Sequence, residues 1–477
     1  MIHFLLIAPT LLALVALFFP SAKYRPLLVP LAALVQCGIA IRCLRAPHVP
    51  SASSWLALDP FGSLVLVIVS VLFLINSFYL VGYLGFAGER KNSYFCAAVI
   101  FLLAMLNLAI ISQHIGLMWV AMESATLSVV PLIYFNKRTT SLEAAWKYML
   151  IGGVGIGIAL LGTFFLAYAA FVERQPETLI YSEILANAHT YSRFWIKMAF
   201  AFLFVGYGTK MGLAPMHTWK PDVYGEASGT VGALLAGGVI SCAFLALVRM
   251  VHIINMAGEG LYARNLLIGI GLISMALAAV FMLDQKDFKR LLAYSSVEQM
   301  GILVLGLGFG GSAIYPTFLH LINNALTKGV MFLAVGNIHR ASRSKSIVLV
   351  RGMIHVLPFS SVMLVIGFLA VTGSPPFGPF LSEFMLAKAF FSGESKLIGI
   401  AFLGLLMLAF IGMGKTIFTV VFGSSSLKDG EVARAENLMT TVPIVVFAAI
   451  VLVLGVFIPG PIKTMLDDAV RFYGEFK

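Results

Sequence analysis

Charge is what this 477-residue chain has least of: Asp, Glu, Lys and Arg make up 11% of it, where a soluble domain carries about 25%. That shortage excludes an ordinary water-soluble globular protein. Cysteine is scarce too, with four residues, Cys37, Cys43, Cys96 and Cys242. They show no CxxC spacing, so zinc, haem and iron-sulfur ligation are not expected in this chain, and the thiols read as small buried hydrophobes. Acidic residues are outnumbered, 21 against 32 basic, for a net charge of +11. The basic residues are scattered over short loops instead of gathered on one face, which argues against nucleic-acid binding and for membrane topology. The first 20 residues lack a basic n-region and a small-residue cleavage site, so they read as a retained first span and not as a signal peptide.

What the chain does have is apolar sequence, 60% of residues with a mean hydropathy of +0.97. At about 20 residues per span it divides into roughly fourteen helices, an all-α polytopic membrane protein forming a single membrane domain over residues 1–477. Within it, 1–92 hold the first three spans, 93–256 and 257–436 hold two five-helix units, and 437–477 hold the last span and an amphipathic tail. The glycine run GGVGIG after Leu150 neither follows a strand nor sits in a βαβ unit, so close helix packing is expected of it and not dinucleotide binding.

Ionisable residues inside apolar spans are costly and mark functional sites by default. The stretch Gly206–Glu226, GYGTKMGLAPMHTWKPDVYGE, carries Lys210 next to Pro215, which should break the seventh span near the depth of the lysine. GSPPFGPFLSE breaks the twelfth span just before Glu383 in the same way. Broken helices at membrane depth line cavities or ion sites. Two breaks five spans apart imply opposite orientations, an inverted repeat of spans 4–8 and 9–13. Sixteen Lys and Arg fall in loops after odd spans and ten after even spans and in the tail, which predicts cytoplasmic odd loops and both termini outside.

Six lysines remain within spans: Lys147, Lys197, Lys210, Lys328, Lys388 and Lys415. Lys197 is placed to snorkel. His320, Asn324 and Lys328 recur every four residues, which puts them on one helix face. Burial brings lysine and carboxylate toward neutrality, so a string from Glu123 through Lys147, Lys210, His217, His320 and Lys328 to Glu383 has the composition of a proton relay. His217 is either a relay member or a gating loop residue. Asp222 and Glu226 read as interfacial, capping or pairing locally.

The stretches KMGLAPMHTWKPD, LLAGG, DFKRLLAYSSVEQMG, HLINNALTKGVMF and GSPPFGPFLSE together resemble the antiporter-like subunits shared by respiratory complex I, Mrp-type cation/proton antiporters and membrane-bound [NiFe] hydrogenases. WVAMESATLS, SLEAAWKYMLIGGVGI, VGYGTKMGLAPMHTW and SCAFLA look most like the hydrogenase-4 component F branch, and the resemblance covers residues 90–457. It implies a fourteen-helix core in the cytoplasmic (inner) membrane and no cofactor in this chain. The [NiFe] and iron-sulfur centres would then sit in partner subunits, alongside other antiporter-like subunits and a peripheral redox arm. By the same resemblance Glu123 and Lys210 match the family's glutamate-lysine pair, Lys147 its lysine on the sixth span, His320 and Lys328 the centre of the eleventh, and Glu383 the ionisable residue of the broken twelfth. Three positions depart from the pattern: Ser241 stands where many members have lysine, Asn324 where they have a second histidine, and Tyr224 where their PDAH loop has histidine. The expected function is proton translocation coupled to a membrane-bound hydrogenase or a related complex. A complex I-type NADH/quinone subunit and an Mrp-like cation/proton antiporter are the alternatives.

Overall fold

Unbroken apolar runs of this kind fold in lipid only by satisfying every backbone group internally, and helices do so within one segment. The computed structural model describes residues 2–45, 55–86, 92–393, 396–424 and 436–474, and these are helical apart from short connections and three isolated bridges. In chain order the helices are α1 (Phe4–Phe18), α2 (Leu28–Arg45), α3 (Pro60–Phe86), α4 (Ser93–Ile111), α5 (Ile115–Ile133), α6 (Thr139–Val172), α7 (Tyr181–Asn187), α8 (Arg193–Met211), α9 (Trp219–Glu226) and α10 (Gly229–Leu234). They continue as α11 (Ile240–Met256), α12 (Gly260–Leu283), α13 (Phe288–Phe309), α14 (Ile314–Ser342), α15 (Met353–Val356), α16 (Pro358–Val371), α17 (Gly378–Ser392), α18 (Lys396–Phe422), α19 (Leu438–Val456) and α20 (Gly460–Gly474). Among the described residues, 11 helical segments are long and apolar enough to cross a membrane, and Phe4–Phe18 and Pro358–Val371 are shorter apolar helices. The chain is a multi-pass membrane protein.

Both expected breaks are present. The seventh span is α8 and α9 joined through Gly212–Thr218, and the twelfth is α16 and α17 joined through Thr372–Phe377. Each break contains prolines, Pro215 in one and Pro375 and Pro376 in the other. Each also begins near a glycine in the left-handed region, Gly212 at φ +69 and Gly373 at φ +65, where a side chain is strained. A third irregularity was not foreseen: Leu235–Val239 form a π-turn between α10 and α11, a feature that often accompanies function. α11 and α14 run through the middle of the molecule, and the spans containing them are fully buried within the chain.

The glycine run of α6 packs as expected. Gly155 lies against the Thr209 side chain of α8, and Gly206 of α8 lies against Ala159 and the Gly155 carbonyl. This close approach fixes where Lys210, at the end of α8, meets α5 and α6. The amphipathic tail is α20, which buries Leu466 and Ala469 against the bundle.

The loop-charge count rests partly on residues that are not in loops. Arg25, Lys220, Arg249 and Lys289 are buried. Arg249 holds Asp59 at 2.6 Å and the Ser112 and Ile110 carbonyls at 2.8 and 3.0 Å, while Lys289 donates to the Ala227 carbonyl at 2.6 Å. Basic residues near helix ends look like loop charges in a sequence but can be drawn inward by a carboxylate or by unpaired helix-end carbonyls. Arg90, Lys91, Lys428, Arg434 and Lys477, which also entered that count, lie outside the described residues.

Candidate functional site

The site forms where the broken seventh span meets its neighbours. α8 ends in the sequence Thr209–Lys210–Met211, and the left-handed Gly212 turns the chain out of the helix. The Lys210 side chain is 1% exposed, and its ammonium lies 3.5 Å from the Glu123 carboxylate of α5 and donates to the Thr126 hydroxyl one turn further on. On the other side the ammonium packs against Gly152 of α6 and lies 5.8 Å from the centre of the Tyr148 ring. The expected Glu123–Lys210 pair is therefore formed, and Gly152 makes room for it.

Lys147 goes elsewhere. Its side chain is 43% exposed and pairs with Glu143 at 2.6 Å and Asp222 at 2.8 Å. Asp222 of α9 also takes Arg290 of α13 at 2.5 Å, which makes a chain of ion pairs across the ends of α6, α9 and α13. Beside it Lys345 binds Glu226 at 2.5 Å and Asp287 at 3.7 Å. Asp287 caps α13 by accepting from the Lys289 and Arg290 amides at 2.8 and 3.2 Å. Burial pushes its carboxyl above the usual range, and Lys345 pulls it back. Asp222 and Glu226 do not pair locally as expected: their cations come from 68 to 119 residues away, on other elements of the fold. Lys147 belongs to this network at the mouth of the site, with no direct contact to Lys210 among those the structure records.

The second half is built on α13, α14 and α17. His320, Asn324 and Lys328 are all buried on α14. Lys328 donates to the Ser295 hydroxyl of α13 at 2.6 Å and is within electrostatic reach of Glu298, which follows Ser295 by one turn on α13. His320 Nδ1 is 3.0 Å from the Ser382 hydroxyl, and Asn323 donates to the Gly378 carbonyl at 2.7 Å, which ties α14 to the start of α17 just past the break. Glu383 is buried there, its carboxylate folded over Gly373, with Glu298 and Gln299 as its polar neighbours. His320 Nε2, Asn324 Oδ1, Thr327 Oγ1, Gln299 Oε1 and Glu383 Oε1 are buried and have no hydrogen-bond partner among the described residues. Native interiors leave few such atoms unmatched.

Ser241, between the two halves, is buried on α11 just after the π-turn and donates to its own Gly237 carbonyl at 2.6 Å. His217 lies buried in the first break, its ring 6.2 Å from Tyr294 and 6.5 Å from Phe281. Lys388 and Lys415 face outward on α17 and α18. Glu298 and Lys220 had not been counted in the row. Lys220 looked like a loop charge because it follows Trp219 beyond the proline. Its neighbour Pro221 is tolerated in the first turn of a new helix, however, and that is the signal that α9 resumes there. Among the described residues no group of three or more His, Cys, Asp and Glu side chains is placed to hold a metal ion.

Similar proteins are found by sequence and by fold. The chain is 35% identical over 364 residues to a hydrogenase-4 component F homolog of Methylacidiphilum infernorum (isolate V4), covering 75% of each chain. It is 28% identical over 432 residues to the Na(+)/H(+) antiporter subunit A1 of Staphylococcus aureus (strain JH9), covering 85% of this chain but only 52% of that subunit. The fold matches a chain of the membrane-bound sulfane sulfur reductase, an archaeal respiratory membrane complex, with a TM-score of 0.86 at 20% identity over 100% of this chain and 98% of that one. Residues 112–407 match the family described as NADH:quinone oxidoreductase/Mrp antiporter, TM, and the chain belongs to that family.

Proposed function

We propose that this chain is the proton-translocating membrane subunit of a multisubunit redox complex, specifically of the membrane-bound [NiFe] hydrogenase type related to hydrogenase-4 and formate hydrogenlyase. The observation that carries the reading is the Glu123–Lys210 pair, set at a helix break and facing a second buried row that runs from Lys328 through Glu298 and His320 to Glu383. A static pair would suffice to fix two helices, and it does not require that row. A charge at the bilayer centre costs roughly 2.5–3.5 kcal/mol on insertion scales, so several such groups at one depth call for a transport role.

In this reading Lys210 exchanges a proton with Glu123 on one side and with the α14 stripe on the other, and Glu383 releases it at the second break. Lys147 and its ion-pair chain form the mouth, His217 serves at the first break, and Asn324 and Ser241 hydrogen-bond water between titrating groups. Spans 4–8 and 9–13 act as inverted halves of a fourteen-span domain in the cytoplasmic membrane with both termini outside, and residues 93–256 and 257–436 are those halves. Other antiporter-like subunits and a peripheral redox arm complete the complex. The [NiFe] and iron-sulfur centres are in that arm, where electron transfer drives the proton movement made here.

Replacing Lys210 or Glu123 by alanine is expected to abolish proton translocation by the assembled complex in proteoliposomes. Unchanged pumping in either variant would refute the reading. The second reading, suggested by the likeness to the antiporter subunit, is sodium/proton exchange. Sodium-dependent proton flux from this chain reconstituted alone would establish that instead, and quinone-dependent NADH oxidation in the purified complex would identify a complex I-type assembly.

A further inference from the structure

Between Lys210 and Lys328 the family pattern calls for a lysine where this chain has Ser241, and a hydroxyl bonded to its own helix at 2.6 Å is a poor substitute for a titrating group. One buried titratable residue packed against the turn that follows Lys210 is unused. Lys220, in the first turn of α9, is fully buried, and its ammonium donates to the Ser296 carbonyl of α13 at 3.4 Å. It forms no ion pair among the described residues, although a buried ammonium without a carboxylate is costly to keep. Its stem runs over Gly212, where any Cβ would overlap it, so the left-handed turn that ends α8 also makes the space Lys220 occupies. The adjacent residue on α13, Ser295, holds Lys328 at 2.6 Å. Lys220 and Lys328 therefore converge on consecutive residues of one helix, within electrostatic reach of each other. His217 faces Lys220 from the break, and Glu298 faces Lys328 from α13.

We propose that Lys220 carries protons between Lys210 and Lys328, supplying from α9 the group that is missing at Ser241 on α11. The neutral Lys220 amine accepts a proton that leaves the Lys210 ammonium, by way of water and the His217 side of the break. It then gives the proton up to the Lys328 amine, and no other reactant is consumed. The inference rests on the proposed translocation and adds one residue to its path.

The test uses the complete complex in proteoliposomes and reads protons moved per electron transferred, with assembly checked by co-purification of the other subunits. Lys220→Leu removes the amine, whereas Lys220→Arg keeps a cation that does not deprotonate in proteins. Both are expected to lower the ratio at least tenfold, and adding Ser241→Lys to Lys220→Leu is expected to restore it. A structural cation would be replaced by arginine, so an assembled Lys220→Arg or Lys220→Leu complex that pumps at the parent ratio overturns the proposal. Lys210→Ala in the same preparation separates the two claims. If it is inactive while the Lys220 variants pump, only the role of Lys220 falls; if it pumps as well, translocation through this chain falls.

Discussion

Two glycines on the α6/α8 contact separate the placing of the Lys210 ammonium from the stability of the helix pair. At Gly206, an added methyl would sit 2.5 Å from the Ala159 Cβ and 2.7 Å from the Ala159 nitrogen and the Gly155 carbonyl. Ordinary contact between such atoms begins near 3.5 Å, so α8 has to move off α6 by about 1 Å. Overpacking of this kind costs about 1–3 kcal/mol, and the better helix propensity of alanine returns about 1 kcal/mol of it. At Gly152, by contrast, the new methyl meets the Lys210 Nζ at 2.9 Å and the Thr126 methyl at 3.4 Å, with Lys210 Cε at 3.9 Å. The group in the way is the far end of a flexible side chain, so the helix pair keeps its spacing and the ammonium alone is displaced from Thr126 and Glu123. Gly206→Ala is therefore expected to lower the midpoint of unfolding in a mixed-micelle SDS titration and to lower pumping, whereas in Gly152→Ala the propensity gain of about 1 kcal/mol offsets the lost contacts of the ammonium, so pumping falls with little change in the midpoint. A Gly206→Ala protein more stable than the parent, keeping the full propensity gain of about 1 kcal/mol, would refute the close-packing argument. A Gly152→Ala complex with parental pumping would show that the position of the ammonium does not matter.

Two further outcomes follow from contacts away from that pair. Asp59→Ala leaves the Arg249 guanidinium buried with the Ser112 and Ile110 carbonyls, the Met118 sulfur and the Tyr181 ring but without its carboxylate, at a cost of about 3–5 kcal/mol. The same titration should report that loss and a recovery when Arg249→Leu is added, and a single variant with parental stability would disprove the structural role of the ion pair. Gly373→Ala places a side chain at φ +65 and drives its Cβ into the Glu383 carboxylate. Backbone strain of about 1–2 kcal/mol is expected, with pumping reduced more than in Glu383→Gln if the displaced carboxylate blocks the path; equal pumping in Gly373→Ala and the parent would show that the carboxylate does not act from that position.

The elements that could be read from the sequence are those governed by local rules. Prolines locate both breaks, because a missing amide and a clash with the preceding turn stop a helix whatever surrounds it. The four-residue recurrence of His320, Asn324 and Lys328 settles a shared face in the same way, and all three are buried. Residues whose environment is set by partners distant in sequence were harder to place. Arg249 looks like a loop charge until Asp59, 190 residues away, is seen at its side. Lys147 shows an apolar flank in the sequence, but its partner Asp222, 75 residues away, is seen only in the fold. Lys220 is the reverse case, a loop charge by position that the fold draws into the interior. The π-turn at Leu235–Val239 has no sequence signature beyond its two glycines, since it depends on how α11 is wedged between neighbours.

The two breaks are alike in backbone but opposite in charge, and that difference bears on direction. The break after α8 is flanked by Lys210 and Lys220, and the break before α17 is followed by Glu383 with Glu298 near it. A proton arriving among lysines adds a charge where neighbouring cations already repel it, whereas a proton arriving among carboxylates removes one. In the proposed translocation, charging the lysine half would push a proton toward the carboxylate half, provided Lys328 and Glu298 join the two. The Glu123 partner of Lys210 bears on that push: while the pair is closed at 3.5 Å the cation is compensated. In the proposed translocation, drawing Glu123, which is a quarter exposed, away from Lys210 would leave that buried ammonium without its carboxylate.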